Sequence, residues 1–357
     1  MKNTRLLFVI WMLFLVLPQG YSQGKKEDSS VLGQVNGFLS KHVKLTAYGQ
    51  FGYSYTDRKD LDVSQADNQF FGRLGMLILS GDITDKLSWM VQYELFTSQL
   101  LELYACYKPY SFFQVKIGRM KTCFTLENQM SSSVYETVNF SRVIERLAGF
   151  SGDGNQGGRD MGLQVGGELF KTSVDDYFLE YRVGVYNGSG LSMKDHNDAK
   201  DFAAWFTVQP VKGLKMGASA YIGKLNDDYT VVNDETGEET IYNTNMKRNR
   251  MALSTCYQTH RLTCRGGEYL WGKDGSINRR VFYALGYWFA IPSRLAVVAK
   301  LERYEADTAV SDSEMIYTVG GAYYITPKTR IMLNYAHFSY EKSVSVNELW
   351  AMSQIGF

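Results

Sequence analysis

The sequence predicts an all-β chain: a 16-stranded antiparallel transmembrane β-barrel with a long inward-folding loop. Three observations carry this expectation. Apolar residues take every second position through most of the chain, the signature of strands wet on one face and apolar on the other. The connections between these segments alternate between tight and long, as in a barrel with short turns at one end and long loops at the other. Four of the five prolines, Pro109, Pro210, Pro292 and Pro327, fall at or beside tight turns, and none sits in a strand centre, where its missing N–H would break a closed ladder.

A leader precedes the barrel. Lys2 and Arg5 give a positive start, residues 6–17 are uninterruptedly apolar, and Pro18, Gly20, Tyr21 and Ser22 break the run. Residues 1–22 read as a secretory signal peptide, with Gln23 opening the mature chain. Residues 23–42 are a short polar lead-in on the periplasmic side, too small to plug a barrel. The first strand then shows the pattern plainly. Val43, Leu45, Ala47, Gly49, Phe51, Tyr53 and Tyr55 share one face, with Lys44, Thr46, Tyr48, Gln50 and Ser54 on the other. The alternation recurs over 69–83, 87–97, 100–107, 112–120, 159–170, 176–187, 201–209, 214–223, 248–258, 262–271, 280–290, 294–305, 315–325, 329–338 and 347–357. Tight connections fall at 84–86, 108–111, 171–175, 210–213, 259–261, 291–293 and 326–328. The others, 56–68, 121–158, 188–200, 224–247, 272–279, 306–314 and 339–346, are longer and polar, with 98–99 the one short exception. Aromatics near strand ends, Tyr53, Tyr55, Trp89, Tyr107, Trp205, Tyr257, Trp271, Tyr287 and Trp288, suit interfacial girdles. The last strand ends on Phe357, which resembles the signal that bacterial outer-membrane barrels present to their assembly machinery.

Composition bounds the function. With 38 Lys+Arg against 37 Asp+Glu, the chain lacks the basic surplus of a nucleic-acid binder. The four histidines, His42, His196, His260 and His337, are dispersed with no ligand spacing, so no metal is expected. No nucleophile elbow or phosphate-cradling glycine loop appears, and neither an enzyme nor a cofactor is expected. A barrel of this many strands encloses an aqueous channel unless something narrows it. Loop 121–158, the longest, is the candidate constriction, carrying Lys121, Glu127, Glu136, Arg142, Glu145, Arg146 and Asp153.

The segment Gly118-Arg119-Met120-Lys121-Thr122-Cys123-Phe124-Thr125-Leu126-Glu127 resembles the G-x-Φ-K-x-P-F-S-x-E stretch of the phosphate-selective porin O and P family. Arg146, Gly158-Arg159-Asp160-Met161-Gly162 and Tyr186-Asn187-Gly188 follow in the family's order, and Phe71-Gly72-Arg73-Leu74 resembles its second strand. Cys123 stands where the family usually has Pro, and Trp205 where it often has Arg. The resemblance implies a homotrimeric porin in the lipid of the bacterial outer membrane, with 16 strands per subunit and a constricting third loop. The function it implies is passive diffusion of small hydrophilic solutes or ions, with preference for phosphate or other anions. The alternative is a channel for a specific organic substrate without anion selectivity.

Phosphate selectivity in that family rests on lumenal cations. The polar strand faces here carry Arg73, Lys116, Arg182, Lys300 and Arg330 inward, and Lys121, Arg142, Arg146 and Arg159 join them as candidates for the narrow zone. The same faces carry Glu94, Glu102, Asp160, Glu168, Glu180, Glu268 and Glu302, so the lumen is mixed in sign. The cations could equally form a salt-bridge network tying the loop to the wall. Finally, if Gln258 opposes Leu262 across the 259–261 turn, Cys256 opposes Cys264 and the pair could be a cross-strand disulfide.

Overall fold

The structure, a computed structural model, describes residues 43–57, 68–148, 157–172, 176–191, 195, 198–224, 229–232, 239–242 and 246–357, and of 229–232, 239–242 and 266–268 the backbone alone. The expected signal peptide 1–22, the lead-in 23–42, Asp153 and the Glu268 side chain lie outside this description.

Every predicted strand has a counterpart. In chain order they are β1 (Val43–Thr56), β2 (Asn68–Thr84), β3 (Leu87–Glu94), β4 (Gln99–Tyr110), β5 (Phe113–Lys121), β6 (Arg159–Lys171), β7 (Tyr177–Tyr186), β8 (Asp201–Val211) and β9 (Leu214–Lys224). After the hairpin β10 (Tyr229–Val232) and β11 (Glu239–Tyr242) come β12 (Lys247–Gln258), β13 (Leu262–Asp274), β14 (Ile277–Ile291), β15 (Leu295–Glu305), β16 (Ser313–Thr326), β17 (Thr329–Tyr340) and β18 (Val346–Gly356). All but β10 and β11 form one closed antiparallel barrel of 16 strands, each paired with its chain neighbours and β1 closing on β18. The closure puts Tyr48 opposite Gly356, and the Phe357 amide donates to the Ala47 carbonyl at 3.1 Å.

The alternation sorts the side chains as a barrel requires. Ile117, Leu163, Val183, Phe206, Met216, Leu253, Val297, Val319 and Leu333 are exposed on the outer surface, the band a bilayer would cover. Their neighbours along each strand, such as Gln164, Ser219, Ser254, Lys300, Thr318 and Asn334, are buried toward the lumen. Two residues expected in the aromatic girdles are corrected by this sorting. Trp205 and Tyr287 are only 3% and 4% exposed and belong to the lumenal set, because their strand positions are even with Arg182 and Lys300 rather than with the outer band.

Three details depart from the sequence expectation. The 272–279 connection shrinks to the two residues between Asp274 and Ile277, where Gly275 adopts φ 58, a left-handed conformation that suits a tight turn. The 224–247 connection holds a hairpin of its own. Glu94, expected among the inward carboxylates, is buried there and is taken up in building the short β3–β4 turn. Its oxygens accept the backbone amides of Gly75 (2.8 Å), Phe96 (3.1 Å) and Thr97 (2.6 Å), which explains how this one outer connection can be short.

The expected Cys256–Cys264 bond is also overturned. Gln258 pairs with Thr263, so Cys256 faces Arg265 while Tyr257 faces Cys264. Both thiols are free. One residue of register moves a side chain to the opposite face of a sheet, so the two sulfurs sit on opposite sides of the wall.

Candidate functional site in the barrel lumen

The segment between β5 and β6 is where the lumen acquires its shape. Thr125, at φ 55, turns the chain into the single helical turn α1 (Leu126–Gln129) and caps it, its hydroxyl accepting from the Asn128 amide at 3.2 Å. A 3₁₀ turn (Ser132–Val134) and a π-type turn (Val143–Leu147) follow. Val138, Val143, Ile144 and Leu147 have no measurable exposure. Val143 and Leu147 share a cluster with Leu270, Val281, Tyr283 and Leu285, and Val138 joins Ala322, Met332 and Met352. These partners are inward residues of β13, β14, β16, β17 and β18, which a water-filled barrel would not place there.

Polar contacts fix the same segment. Arg330 Nη2 donates to the Ser133 and Tyr135 carbonyls at 2.9 and 2.8 Å. Asn334 Oδ1 accepts the Val138 amide at 2.7 Å, and Arg265 meets Glu136 at 2.5 Å. Arg142 bonds to Glu314 through Nε (2.9 Å) and Nη2 (2.5 Å) and to Glu145 (2.6 Å), while its backbone amide donates to Glu302 (2.8 Å). Burial opposes charge on Arg142, but Glu145 and Glu314 more than offset it and hold the guanidinium protonated. Glu127 behaves oppositely. Burial pushes its carboxyl pKa up, with the Ser141 hydroxyl bond only partly opposing.

On the other wall, β2 to β7, a cavity of about 240 Å³ stays open. Among the described residues its lining includes Lys116, Lys121, Arg159 and Arg182, with Glu102 the only carboxylate. Lys116 Nζ lies over the Tyr104 ring at 4.7 Å, and Lys121 Nζ donates to the Met130 carbonyl at 2.5 Å. Arg159 is paired with Glu102 at 3.1 Å and also donates to the Gly157 carbonyl. Arg182 stacks over Trp205 at 4.8 Å, bonds to Glu180, and donates to Gln129 at 2.9 Å.

The nine cations marked in the sequence therefore divide. Lys116, Lys121, Arg159 and Arg182 come together at the cavity. Arg142, Lys300 and Arg330 are engaged with the segment or its carboxylate partners, Lys300 pairing with Glu302 at 2.8 Å. Arg73 donates to Gln50 at 2.6 Å and lies over the Phe140 ring at 4.3 Å; Arg146 lies over Tyr304 at 5.9 Å. Of the expected lumenal carboxylates, Asp160 is held by the Gly188 amide at 2.6 Å, and Glu168 meets Lys108 at 3.1 Å at the short-turn end.

Sequence reasoning missed Arg265, and with it a buried network at the opposite mouth. There Arg250 and Arg279 share Asp274 (2.5 and 3.1 Å), and Arg248 meets Asp201 (3.3 Å) and the Tyr221 hydroxyl (2.8 Å). The signal was present: Arg248 and Arg250 alternate inward two residues apart at the start of β12. Cys123, at the motif position usually held by Pro, is fully buried, its amide donating to the Tyr186 hydroxyl at 3.1 Å.

Comparison with known proteins agrees with this architecture. The family model for phosphate-selective porins O and P matches residues 45–252. Among curated proteins, none matches the chain. The anion-selective porin from Comamonas acidovorans has 12% identity and a TM-score of 0.65 over 88% of this chain and 99% of its own. OmpT of Vibrio cholerae, in a trimer form, has 12% identity and a TM-score of 0.60 over 88% and 99%. OmpF of Salmonella typhi, in complex with daunomycin, has 11% identity and a TM-score of 0.61 over 88% and 98%. At these identities the likeness is one of fold.

Proposed function

The chain belongs to the phosphate-selective porin O and P family, and we propose that its channel favours small anions, phosphate-like ones included, along the basic wall of β4 to β7. It is a porin of the bacterial outer membrane, a passive diffusion channel rather than a pump. The observation that carries the anion reading is the lining of the open cavity, four cations against Glu102, the single carboxylate among the described lining residues. Walls of low dielectric around one sign of charge concentrate the opposite ion. Arg159 and Arg182 already have carboxylate partners, so Lys116 and Lys121 are the residues to which the preference is assigned. The segment 122–148 acts as the constriction, occupying the β13 to β18 side and leaving passage beside β2 to β7. The subunit works as a homotrimer, a reading supported by the trimer form of the Vibrio cholerae relative. Residues 1–22 direct export, and Phe357 addresses the barrel assembly machinery.

The alternative, a channel without anion selectivity, draws on the pairs Arg159–Glu102 and Arg182–Glu180, which cancel charge where the pore would select. The zero-current potential of the purified protein in a planar bilayer across a KCl gradient separates the two. A potential near the chloride limit that falls toward zero in Lys116→Gln/Lys121→Gln supports the anion reading. A potential near zero, or leaning to potassium, in the unaltered protein overturns it.

A further inference from the structure

The outer wall is not uniform at the end away from the tight turns. Lys224 of β9, Lys247 of β12, Lys273 of β13, Arg280 of β14 and Arg303 of β15 are all exposed, and all lie on the lipid-facing side. The register places them. Lys247 pairs with Lys224, and Asn249 pairs with Lys273, one outward position below. Trp271 pairs with Arg280, and Phe282 pairs with Arg303, so each strand crossed lowers the cation by one further outward position. Barrel strands tilt by about 40°, so a line of constant membrane depth runs diagonally across the pairing rows. The tight turns descend in the same sense: Leu262 of the β12–β13 turn pairs with Trp288, yet β14 continues to Ile291 before turning. The five cations thus form a belt about 25 Å long from Lys247 to Arg303, which at this tilt spans only about 6 Å of depth.

Directly below the belt are exposed aromatics, Tyr269 and Trp271 among them, the residues of a membrane interface. Glu305 meets Arg303 at 2.8 Å and Arg280 at 4.0 Å, and Glu341 lies close enough to Arg303 to feel its charge. Both guanidiniums nevertheless stay more than half exposed, at 53% and 55%. Among the described residues, the outer faces of β1 to β8 carry no exposed cation at this end within the strands themselves; Lys200, one residue before β8 and beside Lys224, is exposed but paired with Asp195 at 2.5 Å. The one arginine there, Arg119, is 4% exposed and donates to the Leu100 carbonyl.

We propose that this belt is a docking surface for the phosphorylated headgroup of an outer-leaflet lipid. The cations stand apart on the convex outer wall of the barrel, an arrangement that suits an extended charged surface better than a single free anion. A lipid lying along the wall would place its acyl chains on the apolar band and its phosphates at the belt. The one-sided distribution means the lipid selects one flank of the barrel and leaves the β1 to β8 flank for apolar contact.

The test uses the full chain, purified and delipidated in detergent, with bound lipid counted by native mass spectrometry. The probes are diphosphoryl lipid A and its fully dephosphorylated form. The unaltered protein should retain the diphosphoryl form at least tenfold more tightly. Lys273→Gln/Arg280→Gln/Arg303→Gln should weaken that retention about 100-fold, from the usual contribution of each cation at an anionic membrane surface. Its heat-modifiable gel mobility should be unchanged. If the triple variant does not fold, Lys273→Gln alone should still lose about fivefold. Lys116→Gln, which alters the lumen only, should bind as the unaltered protein does, so the result is independent of ion selectivity. Equal retention of the two lipids, or retention by the folded variant equal to that of the unaltered protein, overturns the proposal.

Discussion

The two inner walls of this barrel meet different neighbours, an open cavity on one side and a packed segment on the other. From β2 to β7 the lumen shows Gln92, Glu102, Lys116, Gln164 and Arg182 around an open cavity. From β13 to β18 it carries apolar patches, Leu270, Val281 and Leu285 with Ala322, Met332 and Met352, all buried and set among Arg265, Lys300, Glu302, Arg330 and Asn334. Such patches would be costly facing water, and they are stable because the segment after β5 covers them with its own apolar residues and meets the polar groups between them. The barrel thus behaves as a pore along one side and as a protein core along the other. Under the proposed function ions pass along one flank, and the segment that would confine them is held by buried apolar residues together with arginine contacts.

That contrast can be broken most strongly at Leu147, which is fully buried between the segment and the wall. Leu147→Ala should cost about 2–5 kcal/mol of docking, by loss of transfer energy and creation of a cavity. The expected result is a several-fold rise in single-channel conductance and new protease cleavage within 122–148. Unchanged conductance would mean that the segment does not narrow the path. A smaller effect is expected at Arg330, whose Nη2 serves two segment carbonyls. Arg330→Ala should cost about 1.5–3 kcal/mol, the range for hydrogen bonds to a charged group, and noisier current steps should report it. Arg330→Lys should recover only part, since one ammonium replaces a planar fork.

The smallest effect is expected at Glu127. Burial raises its pKa, so the docked segment favours the protonated carboxyl. The sign follows from linkage: that contribution is fully present below the ordinary carboxyl pKa and is lost as pH rises through the raised value. Glu127→Gln should leave conductance at neutral pH nearly unchanged, within about 1 kcal/mol of docking, because the amide can still meet Ser141. It should also flatten any pH dependence of proteolytic protection of the segment. A strong loss of docking in this variant would show that the carboxylate form is the one that matters.

The outer surface offers a second contrast of the same kind. The cation belt on β9 and β12 to β15 was within reach of the alternation pattern, since Lys273, Arg280 and Arg303 each fall on the apolar parity of their strand. Reading parity alone, however, does not show that they share a membrane depth. That depends on tilt and register, which pairing between strands decides.

Much of this protein was legible in one dimension. The 16 barrel strands, the faces of nearly all of them and the end carrying the tight turns follow from a period of two and from turn residues, and both are local properties of the chain. Trp205 and Tyr287 were misplaced only where strand ends were used to guess at girdles in place of parity. What sequence could not settle is set by contacts distant along the chain. The Cys256–Cys264 pairing failed on a single residue of register at the turn. Arg142 and Arg330 read like pore residues until Glu314, Ser133 and Tyr135 were seen to occupy them. Whether a lumenal arginine attracts ions or ties down a loop depends on which partner arrives from across the barrel. Only closure of the sheet brings those partners within hydrogen-bond distance.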